Sequence, residues 1–398
     1  MHETFDSEFA SRSDRSFATA RLGIIGGGQL ARMTALAAFP LGCEVSALER
    51  NAFSPAARLA PHSTVGDWED ETTLNLFAMR AQVITLENEF VPALALRRLE
   101  QAGHLVFPSA DCIALTQDKF VQKQTLERAG LPVAAFRKVD SPAAIAAAAD
   151  ELGWPLVLKA RRNAYDGRGN HTLHAAADIT DGWTRLRGDE NDLFVEAFCP
   201  FTKELAVIVT RGRDGATVAY PVVETTQRNH ICHHVQAPAD IPAELAARTT
   251  ELAVRAVVAV GGVGSFGVEM FFTAPDTLVI NELAPRVHNS GHYTIEACEC
   301  SQFENHVRAV LGWPLGRTRM IAPAAAMVNL LGSQKILAKP HGLARALAVP
   351  GVHVHLYGKA MSGPGRKLGH VTALGDTAKE ALALAETAAR TIRFGDTP

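Results

Sequence analysis

The chain has 398 residues, 47% hydrophobic and 20% charged, with a formal net charge of −3. That length predicts two or three domains, and the composition is that of a globular protein in water. The charge balance excludes the broad basic field that nucleic acid requires, so no nucleic-acid partner is expected. The longest apolar stretch, 253–272, carries Arg255, Glu269 and four glycines, so no membrane span is expected either. Met1 to Ala20 has no apolar core and reads as a disordered extension, not a secretory signal. Six cysteines without a Cys-x-x-Cys pair suit free thiols and a cytoplasmic location.

Arg21 to Met33 reads as a strand, a glycine turn and a helix start. Gly26, Gly28 and Ala31 satisfy G-x-G-x-x-A, and Glu49 ends a second strand. On that window alone a nicotinamide dinucleotide is a fair reading, although a helix N-terminus suits any phosphate. Val83 to Phe90 is a further strand whose end carries Glu87 and Glu89, which either hold a substrate hydroxyl or amine or reach water.

A helix is predicted from Thr116, its cap, to Gly130, and a second from the Ser141 cap to Gly153. The strand after Trp154 contains Lys159, a cation in apolar surroundings that calls for an anion. Arg161, Arg162, Gly167, Arg168 and Gly169 then form a basic, glycine-rich loop suited to phosphate. His230, Cys232, His233 and His234 invite a zinc reading, but alternate side chains of a strand point apart, so no zinc is expected there. Helices are predicted over 244–260 and 298–313, and a smaller unit from Ala322 ends in a helix capped by Asp376.

The segment 265–292 is the most informative. Two apolar strands flank a turn at 273–277, with Glu269 in the first and Glu282 in the second. Strand alternation sets Glu269 opposite Val268 and Met270, and sets Glu282 on the face of Leu278 and Ile280. Two buried carboxylates on neighbouring strands could share a hard cation, with phosphate-bound Mg2+ the best fit. Arg286, His288, Asn289, Ser290 and His292 follow at once, and Arg286 offers a fork for an anion.

Asn281 to His292 resembles the signature of the N5-carboxyaminoimidazole ribonucleotide synthetases, ATP-grasp enzymes of purine biosynthesis, and weaker similarity runs from about Leu22 to Leu374. The resemblance implies a mixed α/β and α+β fold: a Rossmann-like domain over 21–114, an ATP-grasp domain over 115–318 with a mobile lid at about 132–195, and a small β-rich domain over 319–398. It implies that the first domain binds no NAD. Lys119, Lys159, Tyr165, Asp166, Gly167, Arg168, Gly169, Glu196, Ala197, Phe198, Cys199, Glu204, Asn281 and Glu282 would then hold ATP, with Glu196 to Cys199 at the adenine edge and Glu204 on the ribose. Gln227 stands where some members have a nucleotide-contacting histidine. Glu269 and Glu282 would bind Mg2+, or Mn2+ in its place. Gly28, Gln29, Leu30, Glu87, Tyr165, Asp166, Arg168, Lys359, Arg366 and Lys367 would hold aminoimidazole ribonucleotide, the last three at its phosphate. Arg286, His288, Asn289 and His292 would hold bicarbonate and the carboxyphosphate made from it. The family also implies a homodimer. Other ATP-grasp ligases, an NAD-dependent oxidoreductase and a non-catalytic nucleotide-binding module are the rival readings.

Overall fold

The computed structural model describes residues 19–163 and 169–395. The extension up to residue 18 and the loop residues Tyr165, Asp166, Gly167 and Arg168 therefore lie outside the described residues. The N-terminal unit is a five-stranded sheet in which β1 (Arg21–Ile25), β2 (Glu44–Glu49), β3 (Thr64–Val65), β4 (Val83–Leu86) and β5 (Leu105–Val106) run parallel in the order β3-β2-β1-β4-β5. Strands buried on both faces need continuous apolar runs. Ile25, Leu48, Ile84 and Leu86 pack against Phe77 and Leu96 in one cluster, while Leu22, Ile24 and Val45 pack in another with Ala35 and Ala38 of the helix Gln29–Ala38. The carboxyl ends of β1, β2 and β4 meet at the point where the strand order reverses, which brings Glu49 and Glu87 to the first turn.

A small antiparallel sheet of β6 (Phe136–Val139), β7 (Leu156–Ala160), β8 (Asn170–Leu173) and β9 (Leu193–Ala197) follows, in the order β6-β9-β7-β8. Leu156, Leu158, Leu193 and Val195 bury one face under Ile145 and Trp183 of two helices. Alternation turns Lys159 and Glu196 to the other face. The next strands are β10 (Lys203–Arg211), β11 (Thr217–Ala219), β12 (Val223–Arg228), β13 (Ile231–Ala237), β14 (Gly264–Thr273), β15 (Thr277–Ala284), β16 (Ala324–Leu331), β17 (Pro340–His341), β18 (Val352–Leu356), β19 (Lys367–Gly375) and β20 (Arg393–Phe394). Nine of them form one sheet in the order β15-β14-β10-β12-β13-β16-β19-β18, with β11 beside β10. The C-terminal strands thus extend the central sheet, through β13 against β16, and the expected boundary at 318/319 is no break in the hydrogen bonding. The helix Ala243–Ala259 covers one face through Leu245, Ala253 and Val257.

Several local expectations are corrected. Asp118, not Thr116, caps the helix Lys119–Arg128, accepting from the Phe120 and Val121 amides, while the Thr116 hydroxyl donates back to Cys112. Thr377, not Asp376, caps the last helix, Ala378–Thr391. The helix predicted over 298–313 spans only Gln302–Leu311, because Ser301 caps it. The helices Gln302–Leu311 and Gln29–Ala38 pack together, and His306 reaches Thr85 at 2.8 Å, fixing the N-terminal sheet to the central one. Cys43, Cys112, Cys199, Cys298 and Cys300 are free thiols, and among the described residues no helix is long and apolar enough to cross a membrane.

Candidate active site

The glycine turn after β1 is closed by acids. Gly27 N–H donates to Glu49 at 2.8 Å and Gly28 N–H donates to Glu87 at 2.6 Å. A Cβ on Gly28 would stand 2.0 Å from a Glu87 oxygen, so only glycine admits the carboxylate. The Gly27 and Gly28 amides, which a dinucleotide pyrophosphate would need, are therefore occupied. Leu30 packs its side chain with Met33, Val287, Phe303 and Tyr357, which leaves only its backbone to a ligand. Burial raises the Glu87 carboxyl, against the Gly28 amide and the nearby cations Lys359 and Arg286. Arg286 grips Glu89 with Nε at 2.6 Å and Nη2 at 3.2 Å. Its fork, expected to hold an anion, instead joins the central hairpin to the N-terminal unit. Burial opposes the Glu89 charge, but Arg286 outweighs it and lowers the carboxyl.

The second wall carries lysines. Lys119 and Lys123 lie one helical turn apart on one face. Lys119 Nζ pairs with Glu282 at 2.7 Å, Lys123 Nζ pairs with Glu196 at 2.7 Å, and Lys159 pairs with the other Glu196 oxygen. Lys159 also donates to Asn281 at 3.5 Å. Burial would raise Glu196, yet Lys159 and Lys123 hold its carboxyl down at about 2. Burial lowers Lys159, with Lys123 and Lys119 adding to it, although Glu196 pulls the other way. Behind Glu196 the Ala197 and Phe198 amides already donate to the Ala135 and Pro155 carbonyls. Arg161 donates to Asp118 from Nε at 3.1 Å and Nη2 at 2.7 Å, and Arg162 Nε reaches the same carboxylate at 3.3 Å. These two arginines anchor the loop to the helix cap instead of standing ready for phosphate.

The hairpin of β14 and β15 supplies the acids. Glu269 faces Glu282 across the two strands, and the register shifts between Glu269 and Met270, which pairs with Ile280. Asn281 is therefore the extra residue of a β-bulge. The bulge reverses the alternation: Leu278, Ile280 and Leu283 go to the core, while Asn281 and Glu282 both face the lysines. The expectation that Glu282 shares a face with Leu278 and Ile280 is thus overturned, and that reversal is what brings the two carboxylates together. Glu204 lies on the same face of β10, with Oε1 accepting from Thr225 at 2.7 Å and Gln227 at 2.6 Å. Gln227 thus acts on the acid at this position. Burial pushes Glu269 up to about 8, with Glu204 and Glu282 adding repulsion. An all-oxygen row with an excess of negative charge is the donor set that a hard divalent cation fits.

Of the polar run after the hairpin, only His288 meets this row, with Nε2 3.5 Å from a Glu269 oxygen. Its Nδ1 lies 2.9 Å from the Ser290 hydroxyl, and buried Gln302 holds its backbone N–H and C=O at 2.9 and 2.7 Å. Burial, then Arg286 and Lys367, lower this imidazole to about 3, so it is neutral. Asn289 and His292 lie behind it. Asn289 exchanges amide bonds with Asn329 at 3.0 and 2.7 Å and donates toward His292 at 3.2 Å. Tyr357 bridges His292 at 3.2 Å and His370 at 2.9 Å. These bonds set Asn289 and His292 in the layer behind His288. Gly267 lies under His288, and a Cβ there would stand 2.5 Å from the His288 Cβ and Cγ. Gly267→Ala should therefore lower kcat at least about tenfold while moving KM for ATP little, and overpacking should cost about 1–3 kcal/mol. Steady-state kinetics and thermal melting check this, and a wild-type kcat would contradict it.

The C-terminal residues divide as well. Lys367, expected in a turn, begins β19 and is among the cations acting on Glu269 and His288. Lys359 lies 6.0 Å from the Tyr357 ring and is among those acting on Glu87. Arg366 is exposed. A cleft of about 480 Å³ opens beside Glu89, Lys119, Arg162 and Glu282. Sequence reasoning missed Lys123, Asp118, Asn329, Gln302 and His370. Only Lys123 had a usable signal, its spacing of four from Lys119.

Residues 19–117 match the ribonucleotide synthetase preATP-grasp domain, residues 124–303 the ATP-grasp domain, and residues 325–384 the phosphoribosylaminoimidazole carboxylase C-terminal domain. The chain is 42% identical over 352 residues to the N5-carboxyaminoimidazole ribonucleotide synthase of Synechococcus elongatus, covering 88% of each. It is 40% identical over 363 residues to the chloroplastic phosphoribosylaminoimidazole carboxylase of Vigna aconitifolia, covering 89% of this chain but only 64% of that one. The crystal structure of the Aspergillus clavatus N5-carboxyaminoimidazole synthase with ADP and 5-aminoimidazole ribonucleotide superposes with a TM-score of 0.86 at 35% identity, over 94% of this chain and 99% of that one.

Proposed function

The chain belongs to the N5-carboxyaminoimidazole ribonucleotide synthase family of ATP-grasp ligases, and from that premise we propose that it carboxylates 5-aminoimidazole ribonucleotide with ATP and bicarbonate. The observation that carries this reading is the pairing of Glu269 with Glu282, within reach of Lys119 and neutral His288. Mg2+, or Mn2+, held by Glu269 and Glu282 would offset phosphate charge during transfer. Lys119 and Lys159 would grip the phosphates, Cys199 N–H would meet the adenine edge, and Glu204 would hold the ribose. A bicarbonate oxygen attacks the γ-phosphorus and the bond to ADP breaks, giving carboxyphosphate. The exocyclic amine of the ribonucleotide then takes the carboxyl carbon, the carbon–oxygen bond to phosphorus breaks, and phosphate leaves. The departing phosphate can take the amine proton, while His288, kept neutral by its surroundings, orients the reacting groups through hydrogen bonds. A closed site would keep water from carboxyphosphate. ADP release should require ATP, bicarbonate and the ribonucleotide together. Full release without bicarbonate would refute this function.

Lys359, Arg366 and Lys367 would receive the ribonucleotide phosphate, because the glycine turn is occupied by acids. Arg366→Ala should raise KM for the ribonucleotide roughly tenfold or more, the loss of one charge-assisted contact of about 1.5–3 kcal/mol. KM for ATP should stay unchanged in the same kinetics. A collapse of ATP affinity alone would reverse the placement of the two substrates.

A further inference from the structure

The zinc argument from strand alternation fails at the same kind of irregularity that assembles the acids. The register between β12 and β13 shifts after Thr226: Thr226 pairs with His234, and Gln227 pairs with Cys232. His233 is the residue left over, so the bulge turns it toward its neighbour instead of away. The Nδ1 atoms of His233 and His234 lie 3.2 Å apart. Two nitrogens bound tetrahedrally at zinc distances lie about 3.3–3.4 Å apart, so this spacing needs little adjustment. The third group comes from the last helix, Ala378–Thr391, where Glu386 brings a carboxylate oxygen within 4.8 Å of one ring nitrogen of each histidine. Arg390 Nη1 sits 3.3 Å from Glu386 Oε2, which leaves the other oxygen for a ligand. His230, at the exposed tip between the strands with φ of 61°, takes no part.

We propose that His233, His234 and Glu386 form a divalent-metal site of the two-histidine, one-carboxylate class, with zinc its best fit and a water completing the tetrahedron. The ion would tie the last helix to β13. Arg228 is the nearby cation that opposes binding, so affinity should be moderate. The site contains none of the groups assigned to ATP or to the ribonucleotide.

The test uses the full chain, purified metal-free and kept in excess Mg2+ so that the acidic row is saturated. Titration with Co2+ should give one ion per chain with the visible absorption of a tetrahedral complex, and Zn2+ should displace it. His233→Ala and Glu386→Gln should each weaken binding about 100-fold, while carboxylation with ATP and Mg2+ stays at the wild-type rate. Glu386→Gln is nearly isosteric, so its melting temperature without metal should match wild type. No saturable Co2+ uptake by the wild type, or uptake that both variants keep unchanged, would overturn the assignment. Because Co2+ uptake is read apart from turnover, its outcome is independent of the carboxylation chemistry.

Discussion

Glu269→Gln and Glu282→Gln should each lower kcat by about 100-fold or more, close to 2.7 kcal/mol of transition-state stabilisation. Each substitution removes one anionic oxygen from the row that would hold the cation on the phosphates. Glu282→Gln also strips Lys119 of its 2.7 Å partner, so it should reduce stability as well. Glu269→Gln should not, since burial and the neighbouring acids already push that carboxyl up to about 8. Between the ordinary carboxylate value and about 8 the folded protein holds a proton that the unfolded chain has lost, so Glu269 costs stability as pH rises through this window. Glu269→Gln should flatten that slope in pH-dependent denaturant melts. Near-wild-type turnover in both variants at saturating Mg2+ would end the assignment of this pair to the cation.

Glu196→Gln should be the most destabilising single change, by about 3–5 kcal/mol, because it leaves two buried lysines without an anion. Lys123→Met should cost much less, since Glu196 keeps Lys159. The carboxyl lies at about 2, below its ordinary 4.5. Its stabilisation is therefore complete above about pH 4.5 and is lost as pH falls toward 2, and Glu196→Gln should remove that part of the acid transition. Equal melting temperatures for the glutamine variant and the wild type would show that the triad stabilises nothing.

Much of the fold was legible because its signals are local. The apolar runs around Ile24 and Ile84, the Ser141 cap and the turn at 273–277 all appear where expected. Lys119, Lys159, Glu204, Glu269 and Glu282, each singled out in the sequence, do come to one face of the fold. Their geometry was less legible. Alternation placed Glu282 on the wrong face and kept His233 from His234, since a bulge depends on the partner strand and one sequence does not display its pairing. The acids that close the glycine turn were equally hidden: Glu87 comes from 59 residues beyond Gly28, and Arg286 meets Glu89 across 197 residues. The joining of β13 to β16 was obscured for the same reason, because strand composition does not say which edge a strand will find.

Phosphoryl transfer to bicarbonate at the Glu269–Glu282 site is tested most directly by following bicarbonate oxygen. With heavy-oxygen-labelled bicarbonate, ATP and the aminoimidazole ribonucleotide, one labelled oxygen should appear in each inorganic phosphate released, because the oxygen that attacks phosphorus leaves with it. Phosphate that carries no label during full carboxylation would mean that bicarbonate is never phosphorylated, and would contradict carboxyphosphate chemistry at this site.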